Sequence, residues 1–217
     1  MIRRWHRSLG LGRLWLRFYH QPVGRFLTVV REGGPWAMRE TERQRQLMEQ
    51  AAAALLPLPS PATDTPLCVH LLTGRRFWYQ TAFCLHSLVR CAGEPFRVEI
   101  YDDGTIDRDI ASLLLRLGPA IRIHSQKEIL ARLDRHLPAD RFPVLRERWL
   151  NYPNIRKLTD VHAGREGCRL VIATDLLFFR RPEVILDWLR QPDRPLHAVA
   201  CEESYGYSRP LMSRLAG

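Results

Sequence analysis

The sequence predicts an α/β fold, a mostly parallel sheet flanked by helices, behind an N-terminal helical extension. Three observations carry that reading. From Leu67 onward, short apolar runs alternate with helix-patterned segments of roughly 10–15 residues, which is the signature of βαβ units. The strand candidates are apolar almost throughout, as in sheets covered on both faces. Glycine or proline closes most segments, as in LCVHLLTG, CLHSLVRCAG and LLLRLGP. The expected architecture is therefore Rossmann-like.

The elements follow in order. Residues 37–56, AMRETERQRQLMEQAAAALL, are rich in good helix formers. Pro57, Pro59, Pro61 and Pro66 then crowd one short stretch, which reads as a linker. The expected organisation is a basic, helical extension over 1–56, a Pro-rich linker over 57–66 and a body over 67–217. Within the body, 67–74 is a strand. Residues 77–93 form a helix, with Trp78, Ala82, Leu85, Leu88 and Val89 at helical spacing. Residues 96–104 form a strand ending in an Asp-Gly turn. Helix 107–118, strand 120–125 and helix 126–137 come next. Residues 143–164 hold one or two helices. CRLVIATDLLFF, 168–179, is the most apolar strand. Helix 182–192 begins with proline in its first turn, and 196–204 is a last strand.

Composition narrows the function classes. At 46% hydrophobic and 26% charged, the chain reads as an ordinary globular protein. The formal net charge is +10. Seven arginines and no acid occur in residues 1–31, which leaves about +3 for the rest. Basicity thus belongs to an arm, and a nucleic-acid-binding face on the body is not expected. Arg13 and Arg17 interrupt the apolar stretch that a signal peptide would need. Arginines interleaved with Trp5, Leu9, Trp15, Leu16 and Phe18 suit a helix lying on an anionic membrane surface. Five cysteines without a C-x-x-C pair suggest reduced thiols and no zinc framework. The expected location is cytoplasmic, with peripheral contact at the inner membrane face through residues 1–31.

In parallel sheets, ligands bind at the carboxyl ends of strands, near a reversal of strand order. That rule selects Thr73-Gly74, Asp102-Asp103-Gly104 and Asp175. Neither GxGxxG nor the Walker pattern is present, so a nicotinamide dehydrogenase or P-loop enzyme is not expected. Thr73-Gly74 leads into a helix whose first N–H groups attract an anion, although any strand-to-helix turn would also use the glycine. Asp102 and Asp103 suit ribose hydroxyls or a base N–H; taken alone, a hydrophilic Asp-Gly turn is the readier account. On a strand, residues 173 and 175 face the same way. Ala173-Thr174-Asp175 therefore offers one carboxylate where D-x-D would offer two. Magnesium manages with one or two carboxylates plus phosphates and waters. The alternative for Asp175 is a turn cap or a pair with Arg180 or Arg181. Lys157 and Asp160, three apart, also fit a surface ion pair. His70, inside an apolar strand, reads as a core histidine.

Taken together, LLTG (71–74), YDDG (101–104), IRKLTDVHAG (155–164) and above all LVIATDLLFFRRPEVILDWL (170–189) resemble GT-A-type glycosyltransferases of the nucleotide-diphospho-sugar transferase superfamily. The likeness covers about residues 67–204. The last string is similar to family stretches of the form L-D-S-D-x-L-F-F-x-x-P. The resemblance implies the nucleotide-binding half of that fold, a nucleotide-diphosphate sugar as donor and a divalent cation, Mn2+ or Mg2+. It implies that Thr73 and Gly74 border the nucleotide, that Asp102 or Asp103 contacts base or ribose, and that Lys157 approaches the phosphates. Asp175 matches the second aspartate of D-x-D, the principal metal ligand. Ala173 stands in place of the first, so metal binding is expected to be weakened. The half that supplies acceptor contacts in the family is not found by Gly217, so the chain is expected either to be a fragment or to have lost activity, and its catalytic residues are unassigned. The competing expectation is a non-catalytic interaction protein anchored to a membrane surface or partner by its basic arm.

Overall fold

The structure, a computed structural model, describes residues 33–62, 65 and 67–192. The basic arm, the strand expected over 196–204 and Cys201 lie outside the described residues. The chain divides into two units, Met1–Leu56 and Pro57–Gly217.

The first unit contains helix α1, Gly34–Ala53. Gly33, at φ 91°, occupies the left-handed region before Pro35 enters the first turn. Arg43–Glu40, Arg45–Glu42 and Arg45–Glu49 pair along the surface at helical spacing. The helix ends before Leu56-Pro57, because a residue preceding proline disfavours the α region. No helix among the described residues is long and apolar enough to cross a membrane.

The second unit is an α/β structure. Its elements are β1 (Cys68–Thr73), α2 (Trp78–Ala92), β2 (Arg97–Asp102), α3 (Arg108–Arg116), β3 (Ile121–His124), α4 (Gln126–His136), α5 (Pro143–Asn151), α6 (Pro153–His162), β4 (Leu170–Val171) and α7 (Glu183–Arg190). The described strands form one all-parallel sheet in the order β3-β2-β1-β4. Register pairs His70 with Glu99 and Glu99 with Arg122, so these side chains share a face.

Local chemistry explains most boundaries. Gly93, at φ 69°, ends α2 and returns its N–H to the Val89 carbonyl. The Asp107 carboxylate caps α3 by accepting from the Ile110 N–H. Ser125 and Glu128 form a reciprocal capping box on α4. Ser125→Ala should lower stability by about 1 kcal/mol. Urea unfolding checks this, and an unchanged midpoint would mean that the box contributes nothing. Pro153 holds Tyr152 at φ −136°, ψ 95° and so splits 143–162 into two helices.

One face of the sheet meets α2, where the Thr81 hydroxyl donates to Thr73 Oγ1 at 2.8 Å. On the other face Tyr101 packs with Ile129 and Leu133 of α4, Trp149 of α5 and Val161 of α6.

Segment 168–179 corrects the sequence reading. Only Leu170 and Val171 are strand, paired with Val69 and His70. The Ile172 N–H donates to the His70 carbonyl at 3.0 Å, and the chain then leaves the sheet. It runs along α2 instead. Cys84 Sγ approaches the Ala173 carbonyl at 3.7 Å, Ser87 Oγ accepts from the Phe178 N–H, and Cys91 Sγ donates to the Phe178 carbonyl. Cys84, Ser87 and Cys91 fall at helical spacing, so one stripe of small polar side chains takes the backbone bonds that a strand would have made.

Candidate functional site

The strand order sets the site. β1, β2 and β3 step outward in one direction, and β4 joins the opposite side of β1. The order therefore reverses between β1 and β4, and in parallel sheets ligands bind outside the carboxyl ends of the strands at such a reversal. Thr73-Gly74 ends β1, and residues 173–175 follow β4.

The loops after β1 and β2 are laced together. The Asp103 N–H donates to the Thr73 carbonyl at 2.9 Å, and the Arg75 N–H donates to Thr105 Oγ1 at 2.9 Å. The Arg75 guanidinium pairs with Asp107. Asp103 lies directly over Gly74, where a Cβ would come within 2.1 Å of the Asp103 carboxylate oxygens. Only glycine allows that approach.

Both aspartates also shape their own turn. Asp102 Oδ1 accepts from the N–H groups of Gly104 at 2.7 Å and Ile106 at 3.1 Å. Asp103 Oδ1 accepts from the Thr105 N–H at 2.9 Å and its hydroxyl at 2.5 Å. Gly104 turns at φ 99°, in the left-handed region. A carboxylate has roughly four lone-pair sites, so the turn uses half of each capacity. The Arg75 N–H, in the turn that leads to α2, is engaged by Thr105.

Arg156 was not anticipated from the sequence, and it holds this end of the sheet. Its guanidinium donates to the Asp102 carbonyl at 2.8 Å, to the Asp103 carbonyl at 2.6 Å and to Asp160 Oδ2 at 3.0 Å. It stacks on Trp149 at 4.5 Å, and the Trp149 indole N–H donates to Asp160 Oδ1 at 2.6 Å. The expected Lys157–Asp160 surface pair is thus replaced by a buried Arg156–Asp160 pair, with Asp160 fully enclosed. The available signal was the i,i+4 spacing, which places Arg156 and Asp160 on one face of α6. Lys157 is half-buried and sits about 100° around the helix from Arg156.

Asp175 is exposed on a turn, so the same-face argument for 173 and 175 does not apply to it. Its negative charge adds to burial in pushing the Cys84 thiol up to about 12, with burial the larger cause. The suggested partner Arg181 is committed elsewhere, to Glu94 and the Ala92 carbonyl at the end of α2. Among the described residues no three His, Cys, Asp or Glu side chains cluster to hold a metal. A lone, exposed carboxylate fits a cation that arrives with phosphates and keeps its waters. It does not make a cage.

The structure therefore brings Thr73, Gly74, Asp102 and Asp103 together, places Lys157 beside Arg156 on α6, and leaves Asp175 on the segment after β4. No protein-family model, curated protein or solved structure matches this chain.

Proposed function

We propose that the carboxyl end of the sheet binds a nucleotide-diphosphate sugar, and that the chain is a glycosyltransferase-like domain of GT-A type. The observation that carries the reading is the reversal of strand order between β1 and β4. A parallel sheet binds ligands at that point, and Thr73-Gly74 and Asp102-Asp103 stand at the ends of the neighbouring strands β1 and β2. Thr73 and Gly74 flank the nucleotide. The unused lone pairs of Asp102 and Asp103 accept from ribose or base. Lys157 meets the phosphates as a point charge. Asp175 is the one protein carboxylate for Mn2+ or Mg2+, which would neutralise charge on the diphosphate when bound.

Calorimetry with UDP-sugars, with and without Mn2+, tests this. Binding is expected in both arms and tighter with Mn2+. Asp175→Ala should remove the Mn2+-dependent gain, at least about tenfold in affinity, which corresponds to roughly 1.4 kcal/mol. Absence of binding in both arms would remove the reading.

A further inference from the structure

The opposite end of the sheet carries a second feature. A 270 Å³ cavity opens over the first residues of three strands, Cys68 of β1, Arg97 of β2 and Leu170 of β4. It therefore lies at the end of the sheet away from Thr73 and Asp102, the last residues of β1 and β2. Arg97, Arg165 and Arg169 all line it. None of the three pairs with a carboxylate among the described residues, whereas Arg75, Arg146, Arg156, Arg181 and Arg190 all do.

The remaining polar lining offsets those charges only in part. Glu99 is the one acid in the wall, and it is held by His124, Nε2 to Oε2 at 2.5 Å. His70 is buried, with Nδ1 3.3 Å from the Tyr101 hydroxyl and Nε2 3.8 Å from Cys68 Sγ. Burial lowers the His70 pKa to about 4, helped by Arg169, Arg165 and His162 and opposed by Glu99. Burial also pushes the Cys68 thiol up to about 11. Both groups are neutral near pH 7. Three guanidinium groups thus face a cavity with one acid, and that acid already has a partner.

The geometry points to a second ligand site at the amino-terminal end of the sheet, which binds the phosphoryl group of a small phosphate monoester through Arg97, Arg165 and Arg169. Guanidinium forks match phosphate oxygens bidentately. The volume lies just below the usual small-molecule range of roughly 300–1,000 Å³, which suits a compact ligand and not a whole nucleotide sugar. Leu189 and Trp188 supply an apolar wall for its carbon skeleton.

Cys168 gives a readout on the unaltered protein, because it is exposed and lines the same cavity. Glucose 6-phosphate and inorganic phosphate should slow alkylation of Cys168, followed by peptide mass spectrometry. Chloride at matched ionic strength should not. In calorimetry, Arg165→Gln and Arg169→Gln should each weaken glucose 6-phosphate binding by about tenfold or more, the scale of a charged hydrogen bond. Arg90→Gln removes the same charge outside the cavity and should change nothing. Arg97→Lys should retain part of the affinity, since it keeps the charge and loses the fork. Equal protection by chloride, or unaltered binding in the Arg165 and Arg169 variants, would overturn the proposal. If those variants fail to fold, the Cys168 measurement decides alone.

Discussion

Replacing Asp160 with alanine is expected to lower stability by about 3–5 kcal/mol, the scale for breaking a buried ion pair by removing one partner. The change strips several bonds at once. Arg156 loses its carboxylate partner at a position that is only 7% exposed. The Trp149 indole N–H and the Thr159 hydroxyl lose the acceptor they share. An unpaired buried charge and an unsatisfied donor cost more than the absent contacts themselves. Arg156→Leu should be similarly severe, because it also releases the Asp102 and Asp103 carbonyls. Changing both residues to apolar ones should cost less than the sum of the two. Urea unfolding of the two single variants and the double variant is the measurement. A loss under about 1 kcal/mol for Asp160→Ala, or strict additivity, would contradict the buried network.

The second large effect is expected at Gly74. In Gly74→Ala the new methyl group would meet the Asp103 carboxylate at 2.1 Å, far inside van der Waals contact. The carboxylate must swing away, and it is anchored by both the N–H and the hydroxyl of Thr105. Displacing it should cost about 1–3 kcal/mol. The diagnostic is a double-mutant cycle. With Asp103→Ala in place nothing blocks the methyl group, so Gly74→Ala should become much milder. Additivity within about 0.5 kcal/mol would mean that the two residues do not meet. On the proposed function, the single variant should also weaken UDP-sugar binding by disordering the turn after β2.

The elements whose signals are local were legible from sequence. The Ser125–Glu128 box, the Asp107 cap and Gly93 mark helix ends by chemistry within a few residues. β1, β2 and β3 were legible from short apolar runs with turn residues behind them. The run LLFF misled because apolarity cannot say where a backbone finds its hydrogen bonds. Here they go to side chains of α2, and Phe179 stays exposed. Arg156 stayed hidden because arginine is usually at the surface, and nothing in its neighbours announces two carbonyl acceptors more than fifty residues away. The arginine-lined cavity was equally opaque, since its residues come from the starts of three strands, the segment before β4 and α7, which only the fold brings side by side. Asp102 was placed at a strand end because alternation alone predicts parallel strands, whereas Asp175 lies beyond the end of β4.

The β4 ladder holds the sheet by two residue pairs. Val98 joins Val69 across roughly 30 residues of chain, but Leu170 joins it across roughly 100. Closure entropy grows with the logarithm of loop length, so the longer loop costs more to close. It is repaid by two residue pairs in place of six. The β1–β4 seam therefore ranks last in sheet assembly and is the least held by its own pairing. A ligand seated at the carboxyl ends of both strands would act as a clasp on that loop, lending the seam a cohesion that its backbone does not supply.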